Sequence, residues 1–214
     1  MQFYISISRY YTAIIFLVMI LLYSISCNEA NEDRSATAII KKATVTIHLQ
    51  PFKGIAANDV LYIFNELKKV YPNIVLNKTI ELPSSAFYPP RNRYRADSII
   101  RYLSLHTAKG HITIGLTNKD ISTTKNEIKD FGVMGLGFQP GNACVASTFR
   151  LSKQNNLEQF FKVAIHELGH TQDLPHCEVK TCFMRDAEGR NSTNDEKEFC
   201  GRCKNKLQKK CWIL

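Results

Sequence analysis

The run HELGHTQDLPHC at residues 166–177 determines how the rest of the chain is interpreted. An α-helix advances about 100° per residue, so His166 and His170 fall on one face of a helix with Glu167 beside them. Apolar side chains gather on the opposite arc, which predicts a stripe that faces the core. One helix therefore presents two imidazoles and a carboxylate to a cleft. The apolar positions are Leu157, Phe160, Phe161, Ala164, Ile165 and Leu168.

His176, six residues after His170, is the candidate third ligand, provided that the helix ends and the chain turns back. Neutral imidazoles suit Zn²⁺, and a catalytic zinc site uses three protein ligands and a water molecule. A core helix that merely carries histidines is the alternative. The glutamate between the first pair and the cysteines downstream favour a metal site. We therefore predict that His166, His170 and His176 bind a catalytic zinc ion.

Two close cysteine pairs follow the histidines, Cys177-x4-Cys182 and Cys200-x2-Cys203. This is the spacing expected for four thiolates around one structural zinc ion. Disulfides are the alternative, because the thiols of exported proteins tend to oxidise. The pairs lie next to the metal-binding helix rather than scattered along the chain, and this favours zinc.

The first residues of the chain have the layout of a secretory signal. Arg9 precedes an apolar run at residues 13–22, which is shorter than the roughly 20 residues that span a membrane. Cys27 follows a small residue and resembles a bacterial lipoprotein cleavage site. We expect residues 1–27 to be a signal peptide of this type, with Cys27 acylated, and residues 28–40 to be a polar tether. The protein would then be exported as a membrane-anchored lipoprotein, periplasmic or on the cell surface. Cleavage elsewhere would give a secreted protein.

Two further features carry little functional signal. The formal net charge is +9, and four lysines between residues 204 and 210 make the tail basic. No aromatic residues are interleaved with them as on a base-stacking platform, so we predict a solvated face and no nucleic-acid partner. Cys144 and Cys211 are left over; they could pair with each other or be small buried apolar residues.

The region before the metal-binding helix alternates between strands and helices, which predicts a mixed α/β sheet. Its proline-rich stretch at residues 83–95 predicts a surface loop, and the signals between 118 and 141 are weak. A strand at residues 142–151 could line the cleft as an edge that binds an extended peptide, or be an ordinary interior strand. Strands are predicted at residues 43–49, 73–82 and 111–117, and helices at 58–71, 97–109 and 198–207.

With the cysteines and Met184 added, the chain resembles the archaemetzincins, a family of zinc metallopeptidases. These proteins show H-E-x-x-H-x-x-G-x-x-H-C, then x4-C-x-M, and later C-x-x-C. The specific match covers about 40 residues, and the preceding order of strands and helices is compatible with it. The matching residues are His166, Glu167, His170, His176, Cys177, Cys182, Met184, Cys200 and Cys203.

The resemblance implies a metzincin-like α/β (α+β) fold and two zinc ions per chain. One is the catalytic zinc on the three histidines, with Glu167 as general base and Met184 at the base of the site. The other is a structural zinc on the four cysteines. Residues 41–214 would then form one catalytic domain, with an N-terminal lobe at 41–170 and a zinc-stapled C-terminal lobe at 171–214.

The chain departs from the family pattern at Asp173, where the family has glycine. That glycine lets the helix end in a left-handed conformation, so that the third histidine can come round. Aspartate is among the few other residues that adopt this conformation with tolerable strain. We expect the turn to survive, with the Asp173 side chain hydrogen-bonding locally or touching a metal ligand.

These observations predict a monomeric zinc metallopeptidase that acts on a peptide or protein substrate. A zinc-activated water would attack the peptide bond, with Glu167 as the base. An alternative from another class is an exported, zinc-stabilised module that binds peptides or proteins with little or no hydrolysis.

Overall fold

A computed structural model describes residues 45–214. The predicted signal peptide, Cys27 and the tether lie outside this range. Among the described residues, no helix has the length and apolar character needed to cross a membrane. The strands are β1 (Thr46–Pro51), β2 (Ile74–Leu76), β3 (Phe87–Tyr88), β4 (Arg93–Arg95), β5 (His111–Thr117), β6 (Ile121–Lys125), β7 (Ile128–Val133), β8 (Gly135–Gly137) and β9 (Ala143–Ser147). The α-helices are α1 (Ala57–Val70), α2 (Ala96–Leu105), α3 (Asn156–Thr171) and α4 (Gly201–Gln208).

The main sheet has five strands in the order β2-β1-β5-β9-β8. The first four are parallel, and β8 runs antiparallel to β9 at one edge. In β5 six consecutive residues are buried, the pattern of a strand that is covered on both faces. The prediction of a mixed α/β fold is confirmed.

Helices cover both faces of this sheet. Helices α1 and α3 pack on one face with Ile47, Leu49 and Ile114, while α2 packs on the other with Phe52. Gly115 in β5 allows the second contact, because a β-carbon there would collide with the side chains of Phe52 and Leu103. The two layers fix α3 against the sheet, and with it the histidines.

A second sheet, in the order β3-β4-β6-β7, lies where a surface loop was predicted at residues 83–95 and where signals were weak after residue 118. The loop prediction was therefore wrong in part. Buried ion pairs hold these short strands: Arg93 lies 3.0 Å from a carboxylate oxygen of Asp120 and 3.2 Å from one of Asp130. Charge pairing across strands replaces the apolar alternation that marks a strand in sequence.

The C-terminal part has little regular structure between α3 and α4. Leu174, Phe183 and Phe199 bury their side chains in the core that α1 and α3 share. Trp212 packs on Tyr71 and Phe199, so the end of the chain is fastened to α1.

Candidate metal centre and active site

Helix α3 positions His166 and His170 with their outer nitrogens facing each other. His166 Nδ1 donates to the carbonyl of Phe183 at 2.6 Å, and His170 Nδ1 donates to the carbonyl of Leu174 at 2.9 Å. Since a neutral imidazole carries one proton, each Nε2 is left with a lone pair. The two Nε2 atoms lie 3.0 Å apart. Two lone pairs at this distance repel each other unless a cation lies between them.

The end of α3 brings the chain back towards the helix. Asp173 has a φ of +69°, in the left-handed region. The N–H of Leu174 donates to the carbonyl of Gly169, and the N–H of Asp173 donates to the carbonyl of His170, which together form a Schellman motif. The predicted turn is therefore present with aspartate in the glycine position. The Asp173 side chain is exposed, and no hydrogen bond or ion pair links it to another residue between 45 and 214.

His176 lies on the returning loop, with its ring centroid 4.9 Å from that of His170 and 5.4 Å from that of His166. Its Nδ1 lies 3.4 Å from a carboxylate oxygen of Asp186. The pKa of Asp186 is lowered, first by the backbone N–H of Glu188 and also by His176, so this carboxylate is ionised at neutral pH. It therefore favours a His176 ring that keeps its proton on Nδ1 and turns Nε2 inward.

The three imidazoles fit a zinc ion. One ring nitrogen from each lies within 4.8 Å of the others. With zinc–nitrogen distances of about 2.0–2.1 Å, tetrahedral ligand atoms are separated by about 3.3 Å, close to the 3.0 Å seen between His166 and His170. Burial first, and the neighbouring imidazole as well, lower the pKa of His166 to about 3. The ring is therefore neutral, as a metal ligand must be.

Glu167 is buried between α3 and the edge strand β8. Burial raises its pKa to about 8. A β-carbon at Gly135 would collide with the Glu167 carboxylate, and one at Gly137 would lie against the Glu167 carbonyl and the His170 side chain. The two glycines therefore let the backbone of β8 closely approach the face of α3 that carries Glu167 and His170.

Met184 lies below this helix and is fully buried. A side chain at Gly169 would meet its sulfur atom, so the methionine packs directly against the α3 backbone. The neighbouring Phe183 carbonyl is the acceptor for His166. The segment around Met184 therefore both supports the helix and orients a histidine.

The four cysteines converge at a second position, with their sulfur atoms all within 4.8 Å of one another. The Cys177 and Cys200 sulfurs are 3.7 Å apart. Zinc–sulfur bonds of about 2.3 Å give a tetrahedral sulfur–sulfur separation of about 3.8 Å, so the group fits zinc. Burial raises the pKa of Cys200, but hydrogen bonds from Cys203 and other cysteines outweigh this and lower it to about 7. All four thiols are free.

A model of peptidase family M54 matches residues 62–209. The chain belongs to this family. It is 29% identical over 170 residues to the archaemetzincin of Archaeoglobus fulgidus, covering 76% of this chain and 98% of the relative. It is 28% identical over 171 residues to that of Halobacterium salinarum, covering 73% and 96%.

Crystal structures of archaemetzincins share the fold. The Methanopyrus kandleri protein aligns with a TM-score of 0.67 at 25% identity, covering 81% of this chain and 98% of that one. The Archaeoglobus fulgidus protein, complexed with malonate, aligns with a TM-score of 0.66 at 26% identity, covering 76% and 99%. The protein is therefore a zinc metallopeptidase of the archaemetzincin family, and the non-catalytic alternative is not favoured.

In this archaemetzincin the two leftover cysteines do not pair. Cys144 is fully buried in β9, whereas Cys211 is exposed, and both are free thiols. Burial raises the pKa of Cys144 well above its ordinary value, which keeps it a neutral, apolar residue. The predicted alternative of a disulfide between them is therefore wrong. The other alternative, a small buried apolar residue, is confirmed for Cys144 but not for the exposed Cys211.

Sequence reasoning missed several features around the histidines. The strand at the edge is β8, and β9, which falls in the predicted strand at 142–151, is interior. Asp186, beside His176, carried no signal because only the folded turn brings the two together. The histidines also open into a cleft of about 600 Å³, which Arg150 and other cationic residues line as well. The glycines near residue 135 are a signal that could have indicated the close approach of β8. Nothing in the sequence pointed to Asp186 or Arg150.

Proposed function

We propose that His166, His170 and His176 hold the catalytic zinc and that Glu167 is the general base in peptide-bond hydrolysis. The observation that carries this proposal is the 3.0 Å separation of two unprotonated Nε2 atoms, with a third imidazole alongside. The Glu167 carboxylate follows directly in the helix and lines the same cleft. A metal and a base therefore have places on one helical face.

When bound, zinc lowers the pKa of a water molecule to about 7 and polarises the substrate carbonyl. Burial alone raises the pKa of Glu167 to about 8, and the charge of a bound zinc ion would favour its ionised form. The carboxylate would then accept the proton of the attacking water and later deliver it to the nitrogen of the leaving amine. The carbonyls of Phe183 and Leu174 hold the two helical imidazoles in the required tautomer. Asp186 does the same for His176.

We also propose that the substrate binds in an extended conformation along β8. This strand is the last in its sheet, so one of its two edges has no partner strand within the main sheet. A peptide can pair with that edge through main-chain hydrogen bonds. Gly135 and Gly137 place the same backbone against Glu167 and His170, so a paired peptide would run past the catalytic face.

Two further proposals concern the second metal and the location of the protein. A structural zinc on Cys177, Cys182, Cys200 and Cys203 would account for their convergence and for the 3.7 Å sulfur separation. The order of Arg9, an apolar run and Cys27 in the sequence of residues 1–27 supports export as a lipoprotein anchored through Cys27. Mass spectrometry of the mature N-terminus tests the anchor, and an unmodified or absent Cys27 would rule it out.

Replacement of Glu167 tests the mechanism. We expect Glu167→Ala to retain its zinc content but to lose hydrolysis by at least about 10³-fold, since it removes the base and no ligand. The measurement is the cleavage of a peptide library by the zinc-loaded protein, followed by mass spectrometry. Glu178→Gln, at an exposed loop position, is the matched control. Full activity in Glu167→Ala would remove Glu167 from the mechanism.

A further inference from the structure

The lining of the cleft includes cationic residues that the proposed zinc chemistry does not use. Its acidic residues are Glu167, Asp186 and Glu196, and the first two belong to the histidine site. Glu196 accepts a hydrogen bond from Ser192, and burial raises its pKa to about 7. The cationic residues are Lys125, Arg150, Lys162, Arg185 and Arg190.

Two of these cations are paired with carboxylates that face solvent. Lys162 contacts Glu158, which is 62% exposed, and Arg185 contacts Asp195, which is 69% exposed. Water and salt screen such exposed partners, and Glu196, which also interacts with both cations, has a pKa of about 7, so their positive charge is only partly offset. Arg190 makes no ion pair with any residue between 45 and 214. The cleft therefore favours a negatively charged group.

Arg150 is the cation best positioned to bind that group. Its Nη2 contacts both carboxylate oxygens of buried Asp120, at 2.8 and 3.1 Å. Asp120 is held in turn by buried Arg93 at 3.0 Å. The guanidinium lies against Gly132, where a β-carbon would collide with it. Its Nε and Nη1 have no hydrogen-bond partner within the described range. Asp120 therefore immobilises the guanidinium at the wall of the cleft and leaves Nε and Nη1, on different edges of the group, as donors for a ligand.

The distance from Arg150 to the catalytic centre is set by the chain that both contact. Gly132 lies against Arg150, and Gly135 lies against the Glu167 carboxylate. Three residues of fully extended chain span about 10 Å, and the chain bends at Met134 between β7 and β8, so the two glycines are no farther apart than this. A peptide that lies alongside this segment advances by the same amount per residue. A group bound at Arg150 is therefore up to about three residues from the bond that is cleaved.

We propose that Arg150 is the centre of a carboxylate-binding subsite, and that preferred peptides carry a carboxylate within about three residues of the scissile bond. This inference rests on the proposed function, since it takes Glu167 to mark the bond that is cleaved. The carboxylate can come from an Asp or Glu side chain or from the peptide C-terminus. Both sources offer the same planar pair of acceptor oxygens to the guanidinium.

A peptide scan distinguishes these sources. One set of labelled peptides moves a single Glu through each position around a fixed bond, with Gln at that position as the isosteric partner. A second set compares free with amidated C-termini. Binding is measured by fluorescence anisotropy on the zinc-loaded Glu167→Gln protein, and cleavage is measured on the unaltered protein. We expect about tenfold tighter binding of one Glu peptide over its Gln partner, or of the free over the amidated C-terminus.

Arg150→Gln should reduce that preference to about twofold or less while the Gln peptide binds as before. Arg91→Gln is the matched control, since Arg91 contacts Asp130 in the same ion network, at 4.0 Å, but does not line the cleft. The zinc-loaded Glu167→Gln protein still has Arg150. If it binds each Glu peptide as tightly as its Gln partner, and free as tightly as amidated C-termini, the subsite is ruled out. A preference that persists in a folded Arg150→Gln protein would remove Arg150 from it. Selective binding without any cleavage would refute the proposed function and leave the subsite standing.

Discussion

Two clusters of side chains that could each hold a metal ion meet where Cys177 follows His176, yet the fold holds them differently. Two of the three histidines lie on α3, whose opposite face is buried against the sheet by side chains such as Phe160 and Leu168. The cysteines lie on an irregular loop and at the start of α4, where Cys200 is the N-terminal cap residue. The histidine cluster opens into a cleft, whereas three of the four cysteines are buried.

This difference suggests that the histidine cluster serves the reaction and that the cysteine cluster stabilises the fold. Helix α3 is ordered by apolar packing, so the two helical imidazoles keep their places whether or not they hold a metal. The loop that carries the cysteines has little regular structure to hold it, so the cluster itself must fix its course. Metal loss should therefore abolish activity at one cluster and loosen the fold at the other.

The largest effect should come from breaking the cysteine cluster. Cys200→Ser keeps a good N-cap for α4 but removes one thiolate, so we expect the loss of one zinc per chain. The free energy of unfolding should fall by about 4 kcal/mol, which lowers the melting temperature by roughly 10 °C. Calorimetry with and without a chelator measures this, and Cys211→Ser, at an exposed free thiol, is the control. A melting temperature equal to that of the unaltered protein would mean that no structural zinc is present.

A smaller effect should come from loosening the histidine cluster. Asp186→Asn removes the charge beside His176 but keeps an acceptor for the backbone N–H of Glu188. Partners of this kind change metal affinity by about 10–100-fold, and we expect about tenfold here because Asp186 is half-exposed. Competition with a chromogenic chelator gives the zinc affinity. Asp195→Asn removes an exposed carboxylate on the same loop and should leave it unchanged. Equal zinc affinity in the two variants would show that Asp186 does not contribute to zinc binding through His176.

The same contrast explains what could be predicted from the sequence. Helices α1 and α3 and strand β5 are marked by apolar periodicity, because each buries a face or both faces in the core. The second sheet has no such signal. Three of its four strands have five residues or fewer, and ion pairs such as Arg93 and Asp130, which lie 37 positions apart, join its strands. Pairing between distant charges leaves no local pattern to detect.

The site shows this limit in detail. The histidine and cysteine spacings predicted both clusters, because metal ligands within one helix or turn must lie close in sequence. Residues on other elements could not be found in this way. Arg150 reaches the cleft because β9 ends beside Asp120, and Gly135 faces Glu167 because β8 reverses along β9. These contacts depend on topology, which spacing does not encode.

The smallest effect should come from the turn that joins the two clusters. Asp173 has a positive φ, and Asp173→Gly would relieve the strain of its β-carbon while giving the unfolded chain more freedom. We expect these opposing terms to raise the free energy of unfolding by at most about 1 kcal/mol and the melting temperature by at most roughly 3 °C, with zinc affinity unchanged. Asp173→Asn tolerates the same conformation but lacks the charge, so it separates backbone strain from electrostatics. Weaker zinc binding in Asp173→Asn, measured by chelator competition, would give the carboxylate a direct role at the histidines. Weaker binding in Asp173→Gly alone would show that aspartate stiffens the turn that returns His176.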